Sequence, residues 1–304
     1  MKNEIALMKK GQMMNIEQKK VVIVTGASSG IGKETVRRFL DEGYEVYAGA
    51  RRLDAMRDLG QSGAHLVYLD LTKGESIDAC VAQVLSQSGR IDVLVNNAGY
   101  GAYGAVEEVP LSAARDQMEV NLFALAHLIQ AVLPAMRERR SGRIINVTSI
   151  GGRVWSLLGA WYHASKFAVE GFSDALRNEL RPFGIDVIVV EPGAIKTEWG
   201  SIAAENVKKT SAQGPYRELA EAAARILSME SIGVPPRMIA DTIWRAASVR
   251  HPQPRYIAPF SARMIVWLRW LLSDRAFDRI WSRFYGLPRT ITASGQAQKS
   301  LAKS

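Results

Sequence analysis

Tyr162 and Lys166 stand four residues apart in the stretch Tyr162-His163-Ala164-Ser165-Lys166. On a helix that spacing puts a phenol and an ammonium on one face, one turn apart. A free phenol titrates near ~10, and a unit charge ~4 Å away at an effective dielectric of ~20 is worth about 4 kcal/mol. The pair is therefore expected to bring the tyrosine toward neutral pH, where a proton donor works best. Alone, the same spacing also describes an ordinary amphipathic surface pair. Its meaning depends on the elements around it.

The first of these is a nucleotide-binding turn. Val21-Val22-Ile23-Val24 is a β-branched run typical of a strand buried on both faces. It leads into Thr25-Gly26-Ala27-Ser28-Ser29-Gly30-Ile31-Gly32, after which Val36, Phe39 and Leu40 set a helical pattern. Gly26, Gly30 and Gly32 allow a tight turn and close backbone approach to a diphosphate. The helix N-terminus offers N–H groups to the phosphates. The spacing differs from G-x-G-x-x-G but keeps the strand–turn–helix context. A second strand, Glu45 to Ala50, ends about 20 residues later, where an NAD site would carry an acid. Here Ala50 is followed by Arg51 and Arg52. Two guanidiniums in place of a carboxylate favour NADP(H) over NAD(H), through charge-assisted contacts to a 2′-phosphate.

With these motifs in order, the chain resembles the short-chain dehydrogenase/reductase family, in its compact single-domain branch. The matching residues span about 20 to 200: the glycine turn, Asp70, Asn96-Asn97-Ala98-Gly99, Asn121, Ser149, Tyr162 with Lys166, and Pro192-Gly193 with Thr197. The resemblance implies roles. Tyr162 would be the general acid for carbonyl reduction, or the base for alcohol oxidation. Lys166 would hold the nicotinamide ribose and lower the phenol's pKa, and Ser149 would hydrogen-bond the substrate oxygen as charge develops. Asn121 would support a water in a proton relay. Ser28, Ser29, Gly30 and Ile31 would meet the diphosphate, and Asp70 and Leu71 the adenine. Asn96, Asn97, Ala98 and Gly99 would wall the adenosine pocket. Pro192, Gly193, Ile195 and Thr197 would hold the nicotinamide. Tyr100, Tyr103, Ile150, Trp155, Leu157 and Trp199 lie beside these motifs and are candidates for an apolar substrate pocket.

Composition agrees with one α/β domain. The 304 residues are 47% hydrophobic and 23% charged, enough for one large core. Further strand-like runs recur at 66–69, 93–95, 144–147, 187–190 and 256–257, with helical patterns between. This alternation predicts a doubly wound, Rossmann-type parallel sheet in three layers. The expected organisation is a loose extension over 1–19 and the main domain over 20–260. Within it, 198–235 lacks a strand signal and is helical around Leu219–Ile226, and the family resemblance implies that it forms a substrate lid. A basic amphipathic segment over 261–289 and a tail over 290–304 would follow. Cys80 lies on an apolar helix face and reads as a small buried residue. A lone cysteine suits a reducing compartment, and the first residues lack a signal-peptide stretch, so a cytoplasmic location is expected. The four histidines share no metal-ligand spacing, no metal is expected, and His163 reads as structural.

The C-terminus is unusual. Residues 237–304 hold twelve Lys/Arg against three Asp, a difference equal to the whole net charge of +9. After Ser273, a candidate N-cap, Phe277, Ile280, Trp281 and Phe284 follow helical spacing, with Arg275, Arg279 and Arg283 on another face. Such a segment either packs over the substrate mouth or a partner subunit, or rests on an anionic membrane. The first is favoured. No nucleic-acid-binding module accompanies the charge. The function expected is NADP(H)-dependent reduction of a bulky apolar ketone or aldehyde. The alternatives are alcohol, steroid or retinol-type oxidation and a non-catalytic cofactor-binding regulator. An extended-branch epimerase would need a different glycine spacing. Helices around 113–137 and 160–180 are expected to pair with their copies in a homodimer or homotetramer.

Overall fold

All five residues of Val21–Thr25 (β1) are buried, as expected of a β-branched run with no polar face. Successive side chains point to opposite sides: Val21 and Ile23 join one core, Val22 and Val24 the other. The remaining strands are Glu45–Ala50 (β2), His65–Tyr68 (β3), Val93–Asn96 (β4), Gly142–Val147 (β5), Ile185–Pro192 (β6) and Arg255–Ala258 (β7). They form one parallel sheet in the order β3-β2-β1-β4-β5-β6-β7. This computed structural model describes residues 18–229 and 233–287. The expected extension over 1–19, save its last two residues, and the tail over 290–304 lie outside the described residues.

Helices cover both faces, giving the three layers of a Rossmann-type fold. Gly74–Ser88 (α3), Leu111–Glu138 (α4) and Ala160–Leu180 (α5) pack on one face through Val84, Leu128, Val132 and Leu176. Gly30–Asp41 (α1), Arg57–Gln61 (α2) and Pro236–Ser248 (α8) cover the other through Val36, Phe39, Leu59, Ile239 and Ile243. By length and composition α4 could cross a membrane, yet Leu125, Ile129 and Met136 sit in the core. Cys80 is buried there too, and burial pushes its thiol up to about 11.

Between β6 and α8 the chain forms two helices, Glu198–Ser211 (α6) and Arg217–Leu227 (α7). Sequence pattern anticipates only the second. The buried residues of α6 are Ala203, Ala204, Val207 and Ser211, too small and polar to stand out as an apolar stripe. After β7, Phe260–Leu271 (α9) and Asp274–Phe284 (α10) run in succession. Ser273 is the N-cap residue of α10 by position, but its hydroxyl makes no capping bond.

The chain order reverses at β1, which pairs with β2 on one side and β4 on the other. In an open parallel sheet, the crevice beyond the strand ends at such a reversal is the natural ligand site.

Candidate active site

A cavity of about 910 Å³ opens at that reversal. One end is the glycine turn. Gly26 and Gly30 have φ of +67° and +55°, a left-handed backbone that glycine adopts without a Cβ clash. Gly26, Ser28, Ser29, Gly30 and Ile31 line the cavity. Gly32 does not. A Cβ there would collide with the Gly26 carbonyl and lie 2.6 Å from Asn97 Nδ2, so its role is to seat α1 against the turn. Asn97 in turn donates its Nδ2–H to Thr25 O at 2.9 Å. The Thr25 hydroxyl accepts from the Asn97 and Ala98 N–H groups, both at 3.0 Å.

Asn97, Ala98 and Gly99 line the cavity, but Asn96 does not. Its side chain is buried and donates to Asn146 Oδ1 at 3.0 Å, and Asn146 donates to Ser173 Oγ at 2.9 Å. A strand's alternation turns consecutive residues to opposite sides, so Asn96 belongs to the sheet. Arg51, Arg52, Asp70 and Leu71 line the far end. Arg52 donates to Ser28 Oγ at 3.3 Å. Asp70 Oδ1 accepts from the Thr72 hydroxyl at 2.8 Å and the Thr72 N–H at 3.1 Å, bonds that hold its carboxyl below the usual range. Two guanidiniums and no carboxylate at the end of β2, with a glycine turn at a helix N-terminus, suit a dinucleotide carrying an extra phosphate.

Ser149, Tyr162 and Lys166 meet in the middle of the cavity with Pro192, Gly193, Ile195 and Thr197. Ser149 Oγ accepts from the Gly151 N–H at 2.9 Å and donates to Pro192 O at 3.5 Å, beside the Tyr162 phenol. The expected effect of Lys166 on that phenol is not found. Its ammonium lies 6.0 Å from the ring centroid and donates to Val147 O at 3.1 Å. Burial pushes Tyr162 up to about 12, against the lowering effect of the Ser149 hydroxyl. Burial also pulls Lys166 down to about 8, against the attraction of Glu170. Desolvation therefore outweighs the through-space charge.

Asn121 sits in a π-helical turn, Glu119–Phe123, within α4, a local widening that recurs at functional sites. Its side chain donates to Tyr100 O and Ser165 Oγ, both at 2.9 Å, and accepts from the Tyr100 N–H at 3.1 Å. That amide is committed to protein partners, so a relay water would need other groups to hold it. His163 donates from Nδ1 to Gly151 O and accepts at Nε2 from the Ser156 N–H, both at 2.7 Å. It is a neutral brace between the Ser149 loop and α5.

Beyond Tyr162 the walls become aromatic. Tyr103 and Trp199 lie 5.6 and 5.2 Å from the Tyr162 ring, and Tyr100, Ile150 and Trp155 join them. Leu157, expected here, packs instead behind the cavity with the α6–α7 alanines. Sequence reasoning did not assign Ile202, Ile226, Trp281 and Tyr285 to this wall. The last two come from α10 and the residue that follows it; the segment docks through buried Phe277 and Tyr285. Asp278 accepts from Trp155 Nε1 at 2.9 Å, and Trp281 Nε1 donates to Trp155 O at 2.7 Å. Of the two C-terminal readings, α10 follows the first and covers the mouth.

Beneath the Ser149 loop lies a buried ionic cluster. Thr148 Oγ1 donates to Glu170 Oε1 at 2.6 Å. Arg153 and Arg255 lie 3.2 and 3.3 Å from Glu191 Oε1, and Arg255 lies 3.1 Å from Glu170 Oε2. Glu191 is fully buried, and its Oε2 has no hydrogen-bond partner among the described residues. Burial, then the charge of Glu170, push its carboxyl up to about 7 despite the arginines.

The fold and this constellation are those of nicotinamide-dependent oxidoreductases. The sequence profile of short chain dehydrogenases matches residues 20–208, and the chain belongs to that family. It is 36% identical over 239 residues to a 3-ketodihydrosphingosine reductase of Bacteroides thetaiotaomicron, covering 77% of this chain and 86% of that one. It is 33% identical over 274 residues to an NADPH-dependent 3-dehydrocapnine reductase of Ornithobacterium rhinotracheale, covering 85% and 94%. A short-chain dehydrogenase structure from Streptomyces avermitilis superposes with a TM-score of 0.74 at 36% identity, over 88% of this chain and 98% of the other.

Proposed function

We propose that the protein is an NADPH-dependent reductase of a bulky, apolar ketone. The observation that carries this reading is the position of the Tyr162 phenol, between a crevice ending in Arg51 and Arg52 and a chamber walled by Tyr103, Trp199 and Trp281. Bound NADPH would supply the hydride. The chain's own residues then handle the proton. A phenol pushed up to about 12 is protonated throughout the physiological range, which favours donation to a developing alkoxide over removal of an alcohol proton. Ser149, oriented by the Gly151 N–H, would donate to the same oxygen. Lys166, whose ammonium donates to Val147 O, would hold the nicotinamide ribose. Arg51 and Arg52 would hold the 2′-phosphate, and α6 and α7 would close over the substrate. The names of the two reductase relatives support the reductive direction.

The test is NADPH oxidation against aryl and alkyl ketones of increasing size. Turnover should improve with apolar bulk. Tyr162→Phe should lower kcat by at least ~10²-fold with little change in NADPH affinity, as expected for loss of a general acid. Most of the activity surviving in Tyr162→Phe would overturn the assignment.

A further inference from the structure

Helix α9 carries its apolar stripe on the wrong side for a core. Phe260, Met264, Trp267 and Leu271 follow the i, i+4, i+7, i+11 spacing of one helix face. They are 70%, 45%, 51% and 56% exposed, and Trp270 beside them is 81% exposed. The single buried residue of α9 is Ala262, on the opposite side. A Cβ on Gly193, a wall residue of the cavity, would lie 2.7 Å from the Ala262 methyl. One face of α9 thus packs behind the cavity wall at Gly193, while the other presents aromatic and aliphatic side chains outward.

The surrounding charge is mainly positive. Arg263, Arg275, Arg279 and Arg283 are exposed and have no ion-pair partner among the described residues. The nearby acids are engaged: Asp274 pairs with Arg269, and Asp278 accepts from Trp155. We propose that the Trp267–Trp270 face of α9, flanked by the arginines of α10, seats the protein on an anionic lipid bilayer beside the mouth of its cavity. Tryptophans partition to the boundary between apolar chains and headgroups, and arginines pair with lipid phosphates. Twelve residues of helix span ~18 Å, short of a ~30 Å hydrocarbon core, so α9 lies in the interface plane. A second copy fits less well. A two-fold contact would set four unpaired arginines against their own copies, with only Asp278 to answer them. Seated this way, the protein has Trp155, Trp281 and Tyr285 of the mouth next to the lipid, so an apolar substrate passes from bilayer to cavity without crossing water. That last step rests on the ketone-reductase reading; the seating does not.

Full-length protein is mixed with phosphatidylcholine vesicles, with and without phosphatidylglycerol, and followed by cosedimentation and indole emission. Binding should require phosphatidylglycerol, weaken at high salt, and shift the emission to the blue. Replacing Arg275, Arg279 and Arg283 with Gln should weaken binding about fivefold per arginine, roughly 100-fold together. Trp267→Ser with Trp270→Ser should weaken it at least ~10-fold. Both variants should keep the parent's rate on a short, water-soluble ketone. Three results would overturn the proposal: no binding, binding indifferent to lipid charge, or binding unchanged in both variants. So would a concentration-dependent rise in mass that Trp267→Ser with Trp270→Ser abolishes, which would assign the face to a second copy. A protein that binds these vesicles but reduces no ketone would refute the proposed function and leave the seating intact.

Discussion

Glu191→Gln should remove a pH dependence of stability that the buried ionic cluster imposes. The carboxyl faces Arg153, Arg255 and Glu170; Asp174 pairs with Arg255 at 2.6 Å, and Lys166 feels Glu170. Asp174 also pairs with Arg177 at 2.7 Å, so Glu170 and Glu191 are left to share Arg153 and Arg255, and the one with an unpartnered oxygen is the one whose proton is retained. Its ordinary value of 4.5 rises to about 7 in the fold. Below 4.5 it is protonated in both states, and its contribution to stability is complete. As pH rises from 4.5 to 7, the unfolded chain loses this proton first, so stability falls; above 7 the loss is complete. At 1.36 kcal/mol per unit the ceiling is roughly 3 kcal/mol. Sharing of charge with Glu170 reduces the expected change between pH 5 and pH 8 to roughly 2 kcal/mol. The glutamine keeps the shape and cannot ionise. Its stability relative to the parent, from urea unfolding followed by circular dichroism, should therefore rise by roughly 2 kcal/mol over that interval. In melting temperature this is about 3 °C for a chain of this length. Parallel pH profiles for the two proteins, offset by a constant, would refute the argument.

Two further outcomes test the cofactor end and the assembly. Arg51→Ala should weaken NADPH binding roughly 10- to 150-fold, the range for lost hydrogen bonds to a charged group, with little effect on NADH. Adding Arg52→Ala should widen the gap in a fluorescence titration, and equal losses for both cofactors would contradict the phosphate assignment. Phe123 and Phe167 are 56% and 50% exposed on α4 and α5, which supports a two-fold dimer through these helices; light scattering at micromolar concentration should give at least twice the chain mass, and Phe123→Glu with Phe167→Glu should halve it.

The central strands were readable because they are short, mostly apolar runs, the mark of burial on both sides; the edge strands β3 and β7 are only partly buried. The crevice was readable for a related reason. Glycine turn, arginine pair and serine each sit next to the end of a strand, and the tyrosine and lysine lie in the first turns of the helix that follows β5, so the parallel topology gathers them. What the sequence hid are contacts across layers. Nothing local indicates that Lys166 turns to Val147 O, away from the phenol, or that Asn121 spends its amide on Tyr100 and Ser165. The cluster around Glu191 draws on β6, β7, α5 and the loop after β5, and its effect on pKa comes from desolvation, which spacing does not express. Leu157 was misplaced because it packs with the alanine cluster of α6 and α7, a contact that its neighbours in sequence do not indicate.

The alanines joining α6 to α7 have a consequence for how this enzyme changes. Ala203, Ala204, Ala220, Ala223 and Ala224 form most of that seam, and each methyl removes little area from water, at ~0.8 kcal/mol per buried CH₂. The pair is fastened mainly at its ends, by Trp199 against Tyr162 and by Ser211, whose Oγ accepts from the Ala105 N–H at 2.9 Å. A unit held this way detaches cooperatively at a fraction of the free energy needed to unravel the sheet. Substitutions on its inner surface, at Trp199, Ile202 or Ile226, therefore alter which molecules are admitted while the sheet keeps its full stability.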